Sequence, residues 1–377
     1  MKLIHLSDLH LGKRVNEYSM IEDQKYILDR IIDIIDSEKP DGIIIAGDVY
    51  DKTIPPAEAV QLFDDFLVSL ANRNLQVFII SGNHDSPERL SFGSRLMDIR
   101  GIYFSPVYNG NVEPIQINDE FGIVNIFMLP FIKPANVRRF FNEEISTYTD
   151  AVNIAIKQMN VNKDNRNLII THQFVTGALR TDSEEISVGG TDNVDATVFE
   201  DFDYVALGHI HRPQKCLSEN IRYCGTPLKY SFSESKDCKS VTVVELKEKG
   251  NILLKTVELK PLRDMCEIKG KYNDIMLKSF YENTTYQNDY MHITLTDEDD
   301  IPDAVSKLRT VYHNLMKIDY DNQRTRSKAY IDTVYDIETK SPLELFSDLY
   351  KLQNNQTITE QQKQFLGSLI EEIWEDK

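Results

Sequence analysis

The sequence lacks the features of a membrane or secreted protein. Its 377 residues contain no apolar run that approaches the roughly 20 residues of a membrane-spanning helix. The four cysteines have no C-x-x-C spacing, which argues against a zinc knuckle and against a disulfide framework. The N-terminus enters a strand-like pattern at Lys2–Leu6 without an apolar leader segment. We therefore expect a reduced, cytoplasmic protein.

The sequence also has fewer basic than acidic residues. The chain has 42 lysines and arginines against 60 aspartates and glutamates, so its formal net charge is −18. A protein that holds nucleic acid alone normally presents a basic face. If nucleic acid is the substrate, either the basic residues are concentrated locally or a partner supplies most of the binding.

Up to about residue 260, short apolar runs alternate with helical spacing. Lys2–Leu6, Gly42–Ala46 and Val77–Ile80 have the composition of buried strands, whereas Met20–Ile35 has apolar residues at helical intervals. Pro55 and Pro56 predict the first turn of a further helix. This alternation predicts a parallel sheet with helices on its face.

Other apolar runs predict further strands and a second sheet. We assign Leu168–Ile170 and Tyr204–Leu207 to the first, parallel sheet. A second, more antiparallel sheet is predicted from five runs that mostly lack long helices between them: Ile102–Val107, Ile123–Leu129, Ile221–Cys224, Val241–Leu246 and Ile252–Leu259.

The pattern changes after Pro261. Two strand-like runs and a helical stretch predict a small α+β segment, and from Ser341 the chain has the spacing of two amphipathic helices. Thr359 and Gln362 are placed to form a capping box for the second of these helices. The strand-like runs are Met265–Lys269 and Tyr290–Thr296, and the helical stretch is Val305–Met316. We therefore predict three parts, residues 1–260, 261–340 and 341–377.

Five polar clusters each follow directly on an apolar strand. Because the carboxyl ends of parallel strands converge on one crevice, clusters at five such ends are expected to surround one point. The clusters are Asp8-Leu9-His10, Gly47-Asp48, Gly82-Asn83-His84-Asp85, His172 and Gly208-His209-Ile210-His211.

The residue types in these clusters indicate a metal site. Carboxylates, an amide and imidazoles without thiolates suit Mn²⁺, Mg²⁺, Fe²⁺ or Zn²⁺. Each cluster taken alone is explained equally well as a turn or as a hydrogen-bonded histidine. Five of the eight histidines nevertheless lie in the clusters, and only His5, His292 and His313 lie outside them. The conjunction, rather than any single motif, predicts the site.

The order D-x-H, G-D, G-N-H-D, H and G-H-x-H resembles the calcineurin-like metallophosphoesterases. Longer matches at Ser7–Gly12, Gly47–Asp51, Tyr204–Gln214 and Gly225–Phe232 resemble their SbcD branch of bacterial nuclease subunits. Cys224 and Thr226 stand where that branch is expected to have serines. The resemblance implies a four-layer α/β/β/α sandwich with a smaller α+β capping domain for DNA recognition and a C-terminal helix pair.

The resemblance also implies a function. Members of this branch are two-metal DNA nucleases with double-strand 3′–5′ exonuclease and single-strand or hairpin endonuclease activity. They work with the SbcC ATPase in DNA end processing, repair and recombination. For this chain it implies a nucleoid-associated heterotetramer with SbcC, docked through residues 341–377, and a homodimer formed through the nuclease domain.

Residue roles follow from the same resemblance. The expected cofactors are two divalent ions, Mn²⁺ before Mg²⁺. His84 is the expected general acid or phosphate-contacting group, and Asp51 is expected to orient it. Asp85 is an alternative for that orienting role, or it is a helix N-cap. One metal would be held by Asp8, His10 and His211 and the other by Asn83, His172 and His209, with Asp48 bridging both.

Candidate DNA contacts are Lys13, Arg14, Lys52 and Arg89, which follow the first three motifs. For each of them a solvated surface position is an equally good interpretation. Two other functions stay open: a metallophosphoesterase for a small nucleotide or phosphodiester, and a non-catalytic scaffold. The extra α+β segment and helix pair argue against the small substrate, and an intact His84 argues against the scaffold.

Overall fold

A computed structural model describes residues 1–184, 192–323, 325, 342–354 and 357–375. Packing divides the chain into two compact units, Met1–Met265 and Cys266–Lys377. The boundaries of the three-part division stay a prediction. Among the described residues, none of the helices combines the length and the apolar character needed to cross a membrane.

The first unit consists of strands joined by helices and short loops. Its strands are β1 (Lys2–Leu6), β2 (Arg14–Val15), β3 (Tyr18–Ser19), β4 (Gly42–Ala46), β5 (Gln76–Ile80), β6 (Ile102–Phe104), β7 (Ile115–Asp119), β8 (Gly122–Leu129), β9 (Arg166–His172), β10 (Phe174–Val175), β11 (Asn193–Val194), β12 (Tyr204–Gly208), β13 (Gln214–Cys216), β14 (Ser218–Tyr223), β15 (Ser240–Leu246) and β16 (Ile252–Glu258). Its helices are α1 (Ile21–Glu38), α2 (Ala57–Ala71), α3 (Pro87–Leu90), α4 (Ser94–Met97), α5 (Pro134–Val137) and α6 (Tyr148–Gln158).

Most of these strands form two six-stranded sheets. The order is β16-β15-β1-β4-β5-β6 in the first sheet and β13-β14-β12-β9-β8-β7 in the second. Each sheet has four adjacent parallel strands, β1, β4, β5 and β6 in the first and β14, β12, β9 and β8 in the second. The other two strands of each sheet, β15 and β16 in the first and β7 and β13 in the second, are joined by antiparallel pairing.

Sheet membership corrects the sequence prediction at several strands. The strands β9 and β12, predicted for the first sheet, lie in the second, and β6, β15 and β16, predicted for the second, lie in the first. The second sheet has a parallel centre rather than an antiparallel one. Sheet membership was wrong because a strand buried on both faces has the same hydropathy in either sheet. The antiparallel prediction was wrong because parallel pairing requires a crossover connection but not a long helix.

The two sheets pack face to face around one apolar core. Because side chains alternate along a strand, Ile44 and Ala46 of β4 face this core, and Ile170 and Ala206 face it from the second sheet. A second core lies between the second sheet and α6, where Ile169 and Val205 meet the helix. With α1 and α2 as crossovers of the first sheet, this confirms the predicted four-layer α/β/β/α fold.

The helix start at the two prolines differs in detail. Pro56 is the N-cap residue, with φ −66° and extended backbone, and α2 begins at Ala57. The prolines therefore precede the first turn of α2 instead of forming it.

The second unit contains β17 (Met265–Gly270, beginning at the unit boundary), β18 (Tyr290–Leu295) and β19 (Asn314–Tyr320) in one sheet, with β18 and β19 parallel. Its helices are α7 (Tyr272–Ile275), α8 (Lys278–Tyr281), α9 (Ala304–Leu308), α10 (Pro342–Asn354) and α11 (Glu360–Glu375).

The predicted helix Val305–Met316 is wrong beyond its first turn. The helix α9 ends at Leu308, and β19 begins at Asn314. Leu308, Val311, Tyr312 and Leu315 all enter the same small core. These four residues are spaced as on one face of a helix, although only Leu308 lies in α9.

The C-terminal helices α10 and α11 are present as predicted and contact each other. The capping box is confirmed: the Thr359 backbone N–H donates to Gln362 Oε1 at 2.9 Å, and the Gln362 N–H donates to Thr359 Oγ1 at 3.3 Å. Ser341, Asn355 and Lys377, which belong to the predicted helix pair, lie outside the described residues.

Candidate metal centre

The five polar clusters lie at the carboxyl ends of β1, β4, β5, β9 and β12. Three of these strands belong to the first sheet and two to the second, so the loops of two facing sheets meet at one edge. The Asp8 N–H donates to Gly47 O at 3.0 Å, and the His209 N–H donates to Asp8 Oδ1 at 3.0 Å, which ties both sheets together. The seven predicted ligands are thereby brought into one cluster: Asp8, His10, Asp48, Asn83, His172, His209 and His211.

The backbone carrying these side chains is strained. Asp8, His10, Asp48 and His209 have φ of +53°, +44°, +48° and +108°. Residues other than glycine rarely adopt this region, and such outliers concentrate at functional sites. These four residues, all of them predicted ligands, lie in the loops that directly follow β1, β4 and β12.

Two of the motif glycines are required because other atoms of the chain lie where a Cβ would be. A Cβ on Gly208 would lie 1.8 Å from the carbonyl oxygen of Ala46, and a Cβ on Gly82 would lie 2.1 Å from Asp48 Oδ1. Both distances are shorter than any tolerable contact. Glycine at 208 therefore allows the loops of the two sheets to come together, and glycine at 82 allows the loops after β4 and β5 of the first sheet to do so.

Asp8, His10 and His211 offer donor atoms that all lie within 4.8 Å of one another. The Nε2 atoms of His10 and His211 are 3.1 Å apart. Two imidazole nitrogens bound at about 2.1 Å to one ion would lie about 3.0 Å apart at right angles and about 3.4 Å apart at the tetrahedral angle. The pair therefore fits a shared cation.

A second donor group surrounds Asn83. Its Oδ1 lies 3.0 Å from His172 Nε2 and 2.9 Å from His209 Nδ1. His172 Nδ1 lies 2.8 Å from the carbonyl oxygen of Ala46, and a carbonyl can only accept. The hydrogen therefore sits on Nδ1, and Nε2 is the atom of His172 available to a metal.

Asp48 lies between the two groups. Its Oδ2 is 3.7 Å from His10 Nε2 and 3.3 Å from His172 Nε2, while its Oδ1 accepts the His84 backbone N–H at 2.9 Å. One carboxylate oxygen therefore faces imidazoles of both groups. This position suits a bridging ligand.

Burial and mutual charge set the protonation of the metal-free cluster. Burial raises the pKa of Asp8 to about 7, His172 opposes this rise, and Asp48 adds to it. Burial lowers the pKa of His172, but Asp48 and Asp8 outweigh it and raise the pKa to about 9. Burial and His172 lower the pKa of His209 to about 3. Metal binding must displace the protons of Asp8 and His172, so it is weakened at acid pH.

His84 lies at the edge of the cluster and is half-buried. Its Nδ1 lies 3.0 Å from the main-chain carbonyl of Asp51, and its Nε2 lies 4.0 Å from Asp48 Oδ2. The Asp51 carboxylate is directed elsewhere, 2.7 Å from Lys13 Nζ and 3.6 Å from His10 Nδ1. The predicted contact between Asp51 and His84 thus exists, but through the backbone rather than the side chain.

Asp85 has neither of the predicted roles. Its buried carboxylate accepts backbone N–H groups of Val49, Tyr50 and Gly82 at 3.1, 3.0 and 3.0 Å. Ser86, not Asp85, is the N-cap of α3. Asp85 therefore joins the loops after β4 and β5.

The four candidate DNA contacts have different surroundings. Arg14, Lys52 and Arg89 are exposed, whereas Lys13 is half-buried, paired with Asp51 and 5.6 Å from the centre of the Tyr230 ring. Lys13 therefore contributes to the cluster rather than offering a free cation. Contact with DNA stays a prediction for all four.

Several neighbours of the cluster were not predicted from the sequence. Phe131 and Phe174 flank His209 with ring centres 6.5 Å away, and Glu184 Oε1 accepts the His211 N–H at 2.7 Å. Ser183, Glu234 and Lys239 continue the contacts of His211. These residues belong to no motif, and no local pattern of the sequence marks them.

The fold and the donor set together fit a dimetal site. Two carboxylates, an amide and four imidazoles converge, with Asp48 central. Residues 1–213 match the family model described as calcineurin-like phosphoesterase, and residues 261–354 match one described as type 5 capsule protein repressor C-terminal domain. These observations define a calcineurin-like phosphoesterase.

Comparison with similar proteins identifies the family within this class of phosphoesterases. The SbcD component of nuclease SbcCD from Staphylococcus epidermidis is 33% identical over 98% of each chain, and its namesake from Staphylococcus saprophyticus is 34% identical over 84% of each chain. The chain belongs to the SbcD family. Among solved structures, TT1561 of Thermus thermophilus is 12% identical, with a TM-score of 0.41 over 69% of this chain and 99% of that one.

Proposed function

We propose that this protein is a two-metal-dependent DNA nuclease. The observation that carries the proposal is the convergence of the seven proposed metal ligands with His84 at one edge of the two sheets. The relatives' name, which is that of a nuclease, supplies the substrate class. An intact donor set together with His84 favours an enzyme over a scaffold.

Two divalent cations are the proposed cofactors, with Mn²⁺ favoured over Mg²⁺. Mg²⁺ prefers oxygen donors, whereas four of the seven proposed ligands are imidazoles. Asp8, His10 and His211 would hold one ion, Asn83, His172 and His209 the other, and Asp48 both. When bound, such a pair activates a water and neutralises charge on the phosphate.

The proposed role of His84 is to protonate the leaving oxygen as a general acid or to contact the phosphate. Because Nδ1 donates to the Asp51 carbonyl, Nε2 is the atom that faces the cluster. In its doubly protonated form, a ring held in this way donates a proton or a hydrogen bond from Nε2 without first having to reorient. The proposed contribution of Asp51 is to hold this orientation through its main chain.

DNA is the proposed substrate and an SbcC-type ATPase the proposed partner. The net charge of −18 opposes strong binding of long DNA by this chain alone. A partner that helps to hold the DNA removes that difficulty. By family membership we propose double-strand 3′–5′ exonuclease and single-strand or hairpin endonuclease activity, exerted in the cytoplasm on nucleoid DNA by a heterotetramer with the partner.

A second copy of this chain is also a proposed partner. The first unit exposes large apolar side chains near α2, α3 and α4, with Phe92, Leu96 and Ile99 exposed by 84%, 77% and 82%. Exposed apolar groups clustered in this way are typical of interaction surfaces. A twofold dimer would bury the same surface on both copies.

The helix pair α10 and α11 is the proposed docking element for the ATPase. Phe346, Leu349, Phe365 and Leu369 are exposed, which leaves an apolar surface for another helix. Deleting residues 341–377 should abolish co-purification with the ATPase and leave Mn²⁺-dependent cleavage of bis-p-nitrophenyl phosphate within about twofold. Retained association would place docking elsewhere.

The proposed function is tested by cleavage of hairpin and blunt duplex DNA with Mn²⁺, with and without the ATPase and ATP. We expect metal-dependent cleavage of both substrates, enhanced by the partner. Cleavage of bis-p-nitrophenyl phosphate without any cleavage of DNA would instead indicate a small-substrate phosphodiesterase. No cleavage of either substrate would defeat the enzyme assignment.

A further inference from the structure

A closed ring of contacts begins and ends at His211. Its Nδ1 lies 2.6 Å from Ser183 Oγ, which donates to Glu234 Oε1 at 2.6 Å. Glu234 Oε2 pairs with Lys239 Nζ, and Lys239 Nζ donates back to the main-chain oxygen of His211 at 2.8 Å. We call Ser183, His211, Glu234 and Lys239 the His211 ring.

The hydrogens of the ring can be assigned from its chemistry. Glu234 is paired with a lysine and acts as an acceptor, so the single hydroxyl hydrogen of Ser183 points to it. Ser183 Oγ must then accept from His211, which places the imidazole hydrogen on Nδ1. His211 Nε2 is left with a lone pair, 3.1 Å from His10 Nε2.

Three members of the ring, His211, Glu234 and Lys239, are buried, Ser183 is half-buried, and the polar groups of the ring are satisfied. Glu234 is fully buried and Lys239 is only 4% exposed. Besides its contacts in the ring, Lys239 donates to Thr226 Oγ1 at 2.8 Å, which uses its three hydrogens. A buried ion pair adds little to stability relative to apolar residues. Its presence beside a proposed metal ligand indicates that it positions that ligand.

In the second donor group, the orientation of His172 is fixed by the backbone rather than by side chains. The Nδ1 of His172 donates to the carbonyl of Ala46, which is part of the backbone of β4. The orientation of His172 therefore survives substitution of neighbouring side chains, whereas that of His211 depends on Ser183. The two proposed metal sites should respond differently to a substitution in the ring.

We propose that Ser183, Glu234 and Lys239 are positioning residues that hold His211 in its metal-binding tautomer and thereby set the affinity for the cation at Asp8, His10 and His211. The inference rests on the proposed metal centre. Substituting an outer-shell partner of a metal ligand typically lowers metal affinity about 10- to 100-fold.

The test is Ser183→Ala in the full-length chain. Calorimetric titration with Mn²⁺ should show one site weakened about 10- to 100-fold and the other unchanged. The electron paramagnetic resonance signal of paired Mn²⁺ ions should require correspondingly more metal to appear. Activity on bis-p-nitrophenyl phosphate should show an increased Mn²⁺ requirement and a near-normal kcat at saturating metal.

Two further variants make the result specific. Ser183→Thr keeps the hydroxyl and should retain wild-type metal affinity. Ser105→Ala removes a different serine hydroxyl, a buried one whose Oγ makes no hydrogen bond among the described residues, and should change neither site. Wild-type affinity at both sites in Ser183→Ala would overturn the inference. A wild-type chain that binds no metal would instead overturn the proposed metal centre.

Discussion

Replacing Asp48 by alanine is expected to remove metal and catalysis together. Its Oδ2 faces His10 and His172, one from each donor group, so both proposed ions lose a ligand. Loss of two-metal charge stabilisation is worth several kcal/mol, which corresponds to a fall in kcat/KM on the order of 10³-fold or more. Elemental analysis should find fewer than two metals per chain, in parallel with the loss of activity.

A matched control separates this effect from the general loss of a buried carboxylate. Asp23 is also fully buried but pairs with Arg263 at 2.8 Å and is not among the proposed ligands. Asp23→Ala should lower the thermal midpoint and keep two metals per chain. An Asp48→Ala protein with unchanged metal content would end the bridging assignment, even if its activity were lost.

The sequence predicted the members of this cluster better than the sheets that carry them. Asp8, His10 and the later motifs could be found because polar groups directly after an apolar strand stand out locally. Which sheet contains β9 or β12 depends on pairing between residues far apart in the chain, and both strands are uniformly buried. Hydropathy therefore predicts that a strand exists and not which strands lie beside it.

The supporting residues were missed for a related reason. Ser183, Glu234 and Lys239 are ordinary polar residues in the sequence, and only the fold brings them to His211. The roles of Asp51 and Asp85 could not be resolved either. A sequence identifies a carboxylate near a motif, but the contact of His84 is with a main-chain carbonyl, which every residue possesses.

Replacing His84 by alanine is expected to lower the rate of DNA cleavage strongly while leaving metal binding intact. His84 is not among the seven proposed ligands, so each proposed ion keeps all of its proposed donors when the imidazole is removed. Loss of a general acid typically costs about 10²- to 10⁴-fold in rate. Two metals per chain and a fall of this size in kcat on duplex DNA are the expected results, with His292→Ala in the second unit as the histidine control.

The leaving group distinguishes the two roles proposed for His84. A DNA 3′-oxygen is a strong base that needs a proton as it departs, whereas p-nitrophenolate is stable without one. A general acid therefore predicts that His84→Ala loses far more activity on DNA than on bis-p-nitrophenyl phosphate. A phosphate-contacting group predicts similar losses on both, because the same developing charge is stabilised. Near-normal turnover of DNA would exclude His84 from both roles, and the chemistry would then depend on the metal ligands alone.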